Sequence, residues 1–332
     1  MANKVVSYVR SHLSSLRDEK TSLNERYAIK NGIQGFLVGA FRLIIIVGIC
    51  YNILAPVLGI IANSFFSNAD AYNPMVYLFP QDPTLERYET VMSIMDYWPT
   101  MFNSMFYTVA LMCLQIFVCS MVGYGFARFD FPFKGLLFGC VVVMIVIPTH
   151  TIMLPLYMTF KQFDPFGLCT LIFGEPLSLM STTWPMYIMT AMGCGLRSGL
   201  YIYIFNQFFR GLPKEIEEAA LVDGCGTWYT YFCIMLRNAM PAVITVAVFS
   251  MVWQYNDTFF AKLFLIGQDQ SIGMRISSLV ANVANQYKIY DITLQNLYLD
   301  AGIVLMMVPI VLIYVFLQKH FIEGVERSGI VG

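Results

Sequence analysis

Residues Pro99–Ala127 read PTMFNSMFYTVALMCLQIFVCSMVGYGFA, a run of 29 without a single Asp, Glu, Lys or Arg. About 20 apolar residues in a helix cross the roughly 30 Å of hydrocarbon in a bilayer. In lipid the backbone must satisfy its own hydrogen bonds, which a helix does within one segment. This run therefore predicts a transmembrane helix. Working outward, Gly135–Phe160 is also free of charge, and Phe36–Phe66 carries only Arg42. Met240–Ile266 and Ala301–Gln318 qualify as well. The stretch Pro165–Phe209 is too long for one span, and Pro165, Pro176 and Pro185 interrupt its first half. The span is expected near Trp184–Phe209, with Phe166–Thr183 an outer or re-entrant piece. The reading is an all-α integral membrane protein with about six transmembrane helices.

Composition agrees. Of 332 residues, 58% are hydrophobic and 12% charged, against about 25% charged in a soluble domain. The net charge of −1 offers no basic field for nucleic acid. Eight cysteines lie mostly in apolar stretches without a CxxC pair, which points to buried thiols and to no metal site. Residues 1–35 are polar and basic and predict a cytosolic arm. Val6, Val9, Leu13 and Leu16 recur at helical spacing, so a lipid-surface helix stays open beside a solvated arm. With the N-terminus inside, the cytosolic segments hold 13 of the 20 Lys and Arg, while the first outer loop, Ser67–Tyr97, holds only Arg87. The positive-inside rule then places both termini in the cytosol.

One cytosolic segment is well specified. From Leu212 to Gly224 the sequence is LPKEIEEAALVDG. Pro213 suits a first helical position, Glu215, Glu217 and Glu218 suit the positive end of the helix dipole, and Gly224 supplies the stop. A second short helix is expected near Thr227–Arg237, with Pro241 opening span five. On physical grounds the segment is equally a polar loop or a docking element.

These residues resemble a known family. Glu218-Ala219-Ala220, Asp223-Gly224, Ile234 and Pro241 resemble the EAA loop of ATP-binding-cassette importer permeases. Asn103-Ser104, Tyr124-Gly125-Phe126-Ala127-Arg128-Phe129 with Phe131, Pro148, Pro155-Leu156-Tyr157, Phe208-Phe209, and Trp253 with Asn256 resemble its carbohydrate branch, in the subunit type of the maltose system's second permease. The tail, Phe321-Ile322-Glu323-Gly324 to Ser328-Gly329-Ile330-Val331-Gly332, is similar too. Arg237 stands where the family usually has proline, and Cys225 replaces a small residue.

The resemblance implies the type I ABC importer permease fold. Its expected organisation is a cytosolic arm 1–35, a first transmembrane helix 36–66, an extracytoplasmic loop 67–98, a core 99–320 containing a coupling loop 211–238, and a cytosolic tail 321–332. It implies a bacterial cell membrane location and three kinds of partner: a second permease subunit in a heterodimer, a cytosolic ATPase dimer, and an extracytoplasmic solute-binding protein. Glu215, Glu217, Glu218, Ala219, Ala220, Asp223 and Gly224 would seat a coupling helix in the ATPase, with Glu218 meeting a basic residue there. Ser328, Gly329 and Gly332 would face the ATPase. ATP and magnesium would bind that partner, because this chain lacks a GxxxxGK[ST] phosphate loop. No cofactor and no catalytic constellation are expected here.

Trp253, Gln254, Tyr255, Asn256 and Asp257 lie past the middle of span five and are candidates for a substrate path. Polar groups at that depth should face the bundle interior. Aromatic faces and planar amides suit a sugar, although such groups also bridge helices. His150 reads as structural or as a path residue. A non-sugar solute keeps the same fold. A lone ion-coupled transporter should show internal repeats and several intramembrane carboxylates, and neither is evident.

Overall fold

The computed structural model describes residue 7, residues 37–265 and residues 271–329, with the backbone alone for 316–329. The rest of the expected N-terminal arm and Gly332 lie outside the described residues.

The chain divides into two units, 1–62 and 63–332. The first contains nearly all of α1 (Leu37–Ser64), a 28-residue apolar helix. The second contains α2 (Asn68–Ala71), α3 (Glu86–Ile94), α4 (Tyr97–Arg128), α5 (Lys134–Val146), α6 (Met153–Lys161), α7 (Leu168–Phe173), α8 (Trp184–Ala191), α9 (Ser198–Gly211), α10 (Glu215–Val222), α11 (Thr227–Tyr229), α12 (Leu236–Asn238), α13 (Met240–Tyr255), α14 (Phe259–Phe264), α15 (Ile272–Tyr287) and α16 (Ile292–Gly329). A single bridge between Phe163 and Leu177 is the only extended pairing among the described residues.

The expected spans divide into three kinds. Helices α1, α4 and the stretch Ile292–Val315 of α16 are continuous and long enough to cross a bilayer. The third expected span is bent, and the fifth is entered through a bend just before its first residue, after the short helical stretch expected there. Lys134–Val146 turns by 103° into Thr149–Lys161, and Thr227–Asn238 turns by 76° into α13. The first bend follows from Pro148: a residue before proline is pushed out of the helical region, and Ile147 is extended at φ −65°, ψ 124°. The expected fourth span is broken between α8 and α9. Gly193 and Arg197 there both have positive φ.

Boundaries need correction at three places. Span five stops at Tyr255, where it was expected to run to Ile266, and α14 is a separate helix. Span six begins at Ile292, nine residues before the expected Ala301. The amphipathic helix α15 fills the interval between expected spans five and six, for which no element was expected, and packs on α3, α4 and α16.

The core of the second unit gathers around α4. Its closest neighbour is α9, because Gly123 lets the backbones approach: a Cβ at 123 would stand 2.6 Å from Cβ of Phe205. Small residues at such crossings take the place of hydrophobic driving force within lipid. The cysteine reading is corrected. All eight thiols are free, but only Cys119 is buried, while Cys113, Cys140, Cys194 and Cys233 are exposed. Apolar neighbours in a membrane sequence mark lipid-facing positions as readily as a core.

The segment 67–96 is a folded knot. Ser67 and Asp70 form a reciprocal cap on α2, and Asp70 also accepts from the backbone N–H groups of Gln81 (3.3 Å) and Asp82 (3.1 Å). Arg87, buried, donates to the carbonyl of Phe66 and to Asn68 Oδ1 at 2.6 Å. Burial alone would push the Asp70 carboxyl up, but the N–H groups of Asp82, Ser67 and Gln81 outweigh it and hold it below the usual aspartate range.

Candidate functional site

The EAA segment folds as the short helix α10. Lys214 caps it, so Pro213 sits one residue before the cap, outside the first helical position expected for it. Glu215, Glu217 and Glu218 occupy the first turn. Its end is a Schellman turn: Gly224, at φ +82°, donates to Leu221 O at 3.1 Å, and Cys225 donates to Ala220 O at 3.0 Å. A side chain at 224 would resist that left-handed conformation.

The seven residues expected to couple do not share one face. Glu215, Glu218, Ala219, Asp223 and Gly224 are exposed, whereas Ala220 is buried and Glu217 half-buried. Ala219 and Ala220 therefore part company, with Ala219 exposed and Ala220 turned into the chain. Glu217 is engaged by the end of α4. Arg128 Nε stands 3.1 Å from Glu217 Oε2, with the two side chains 5% and 18% exposed. Tyr124 donates its hydroxyl to Glu217 Oε1. Arg128 also donates to Leu212 O at 2.9 Å, just before α10. The positive side chain at the C-terminal end of α4 suits that helix's dipole. The outward face that remains is Glu218 and Ala219 beside the exposed Leu221 and Val222, continued by Trp228 and Tyr229.

Beyond α10 the chain runs through α11, a π-helical turn (Thr230–Met235) and α12. Buried Tyr231 shares a hydrogen bond with Ser120 of α4 at 2.7 Å. The bend into α13 is present with Arg237 in place of proline. Ala239 leaves the helical region at φ −86°, ψ 12°, directly before Met240 and Pro241.

The five span-five candidates also separate. Gln254 is buried, and its Nε2 donates to Gln115 Oε1 at 3.3 Å. Tyr255 is buried and donates to Met306 O of α16 at 3.1 Å. Asp257 lies in the loop after α13, where Oδ1 accepts from the N–H groups of Phe259 (3.1 Å) and Phe260 (3.3 Å) and caps α14. Gln254, Tyr255 and Asp257 thus join helices to one another. Trp253 and Asn256 keep open surface, and Trp253 is 44% exposed. The guanidinium carbon of Arg197 lies 4.3 Å from the Trp253 ring centroid. His150 packs edge-on against Phe259 at 4.6 Å.

Four contributors escaped the sequence reading. Arg128 and Tyr124 were read only as part of a motif, and Arg197 only as part of a span. Gln115 is fully buried in α4 and joins α9 to α13: it donates to Leu196 O (2.6 Å) and Ser198 Oγ (3.0 Å) and accepts from Ser250 Oγ (2.7 Å). An amide in the middle of a charge-free run was the available signal for it. Ser328 and Gly329 end the described helix α16, with their side chains outside the described residues.

A family model described as "Binding-protein-dependent transport system inner membrane component" matches residues 115–327. The arabinooligosaccharide transport system permease AraQ of Halalkalibacterium halodurans is 26% identical over 288 residues, which cover 86% of this chain and 93% of that one. The diacetylchitobiose uptake system permease NgcG of Streptomyces coelicolor is 26% identical over 276 residues, 83% of each. Among solved structures, a chain of a bacterial ABC transporter that imports the acidic polysaccharide alginate superposes with a TM-score of 0.67 at 18% identity, covering 86% of this chain and 96% of that chain.

Proposed function

This chain belongs to the family of binding-protein-dependent transport system inner membrane components, and from that premise we propose that it is a permease subunit of an ATP-driven carbohydrate importer. A second permease subunit completes the pathway in a heterodimer. A separate ATPase pair in the cytosol binds ATP and magnesium, and an outer solute-binding protein delivers the sugar. Both termini lie in the cytosol of a bacterial cell. The oligosaccharide cargoes of the relatives support the sugar, and the family supports the partners.

The observation that carries the coupling role is the division of α10 into two faces. Its inner face is bolted to α4 through Glu217, Arg128 and Tyr124. Its outer face, Glu218 with Ala219, is free to seat in the ATPase, flanked by Glu215, Asp223 and Gly224. A helix clamped in this way moves as one body with the end of the span it is bolted to. Closure of the ATPase pair on ATP then displaces α10 and, through Arg128, the inner end of α4. Ser328, Gly329 and Gly332 would face the same partner, as the family resemblance implies.

The test is co-purification and uptake with the assembled complex. Glu218→Lys places a cation where an anion is expected to meet a base. It should release the ATPase subunit and abolish ATP-driven sugar uptake in vesicles, while the two permease subunits stay together. Full uptake in that variant would refute the docking role.

A further inference from the structure

We propose that Arg197 and Trp253 together form a binding site for a carboxylate-bearing sugar ring on the translocation path, an assignment that rests on the carrier reading above and narrows its cargo to acidic saccharides.

Two independent elements bring these side chains to one level. Arg197 immediately precedes α9, whose 14 residues run to the coupling loop, so it stands about 20 Å from that end. Trp253 lies 13 residues beyond Met240, again about 20 Å from the same end. The 4.3 Å contact between guanidinium and indole agrees with both. This depth is well inside the hydrocarbon thickness.

The position is built. Arg197 holds φ +61°, which is costly for a residue with a side chain and persists only where neighbours enforce it. Gln115 enforces it from both sides by bonding Leu196 O and Ser198 Oγ. Arg197 itself is exposed and forms no ion pair among the described residues. A cation at that depth is expensive against lipid, so it belongs on a polar path.

The chemistry selects the ligand. A guanidinium offers a planar fork of donors that matches a carboxylate two-to-two, as no neutral hydroxyl does. The guanidinium lies over the indole, and the surface of Trp253 that stays exposed offers apolar contact to the C–H side of a pyranose ring. A cation stacked on an exposed indole fits a uronate residue better than a neutral hexose.

The experiment uses the full complex with its binding protein in vesicles, supplied with ATP and either labelled trigalacturonate or labelled neutral galactotriose. Wild type should take up the uronate in preference. Asn tolerates the left-handed backbone, so Arg197→Asn keeps the turn and removes the fork. It should cut uronate uptake about tenfold or more, the loss expected for a charge-assisted hydrogen bond, and change neutral uptake less than about twofold. Arg197→Lys retains charge without the fork and should fall between the two. Equal loss for both sugars would overturn the assignment, since it would place Arg197 in a structural contact, for example with a carboxylate of the second permease. Preference for the neutral sugar in wild type would also overturn it and leave the carrier reading standing. Failure of wild type to import either sugar would overturn the acidic-sugar assignment, while the carrier reading is decided separately by the Glu218→Lys experiment.

Discussion

Glu217 and Glu218 are adjacent and chemically identical, yet their environments set opposite roles. Glu217 shares its two carboxylate oxygens between Arg128 and Tyr124, and only 18% of its side chain is exposed. Glu218 is exposed. Removing one member of a buried ion pair leaves the other charge without a counter-ion, a loss of about 3–5 kcal/mol when burial is complete and less where water reaches the pair. Arg128→Ala should therefore lower the thermal midpoint of the purified complex, and Glu218→Ala should leave it nearly unchanged. The exchanged pair Glu217→Arg with Arg128→Glu should recover part of the loss in a differential scanning measurement. If Arg128→Ala and Glu218→Ala shift the midpoint equally, the two-faced reading of α10 fails. Sequence alone grouped these glutamates because helix periodicity does not reveal which face of a short helix meets its own chain. That depends on Arg128, 89 residues upstream of Glu217.

At the scale of elements, the 67–96 knot calls for a separate measurement. Asp70 holds the chain 67–82 together through backbone N–H groups, and its carboxyl lies below the ordinary value of 3.8. A carboxyl lowered by folding stabilises the fold fully above its unfolded value, and the contribution disappears as the pH falls through its folded value. The knot should hold at neutral pH and loosen only in acid below about 4. Asp70→Asn should make proteolysis of this segment faster at pH 7 and remove its acid dependence. A variant with the wild-type acid profile would count against Asp70 as the organiser. The same scale shows what the sequence made legible. The turn at Gly224 was read, because a backbone φ above zero is a local matter; the break at Pro148 was equally local, yet the charge-free run was read through it as one span. The broken span at 192–197 and helix α15 were not readable. Arg197 adopts its turn only because Gln115 holds it. The polar face of α15 resembles a loop until α3, α4 and α16 supply its other side.

For the whole molecule, the membrane class followed from charge-free length, which no tertiary contact alters. The path residues did not follow, because polarity within a span signals an interior position and leaves open whether it binds cargo or another helix. Gln254, Tyr255 and Asp257 do the latter. The proposed orientation is testable at this scale. Cysteine placed at Val222, 87% exposed on α10, and at Met75, 87% exposed in the 67–96 knot, should label from opposite sides of intact cells. The comparison requires a background in which the exposed native thiols are replaced. Val222→Cys should react with an impermeant maleimide only after the membrane is opened, and Met75→Cys should react at once. Labelling of both from outside would contradict the inward position of α10.

The π-helical turn at Thr230–Met235 has a mechanical corollary. Each of its loops encloses one residue more than an α-helical loop, so the strip of chain between α10 and α13 carries spare length. Tightening that turn to α-helical pitch would pivot everything beyond it by about 100° and shift it by about 1.5 Å, with no peptide group left unbonded. The joint beneath Pro241 thus has a built-in ratchet tooth, one residue wide.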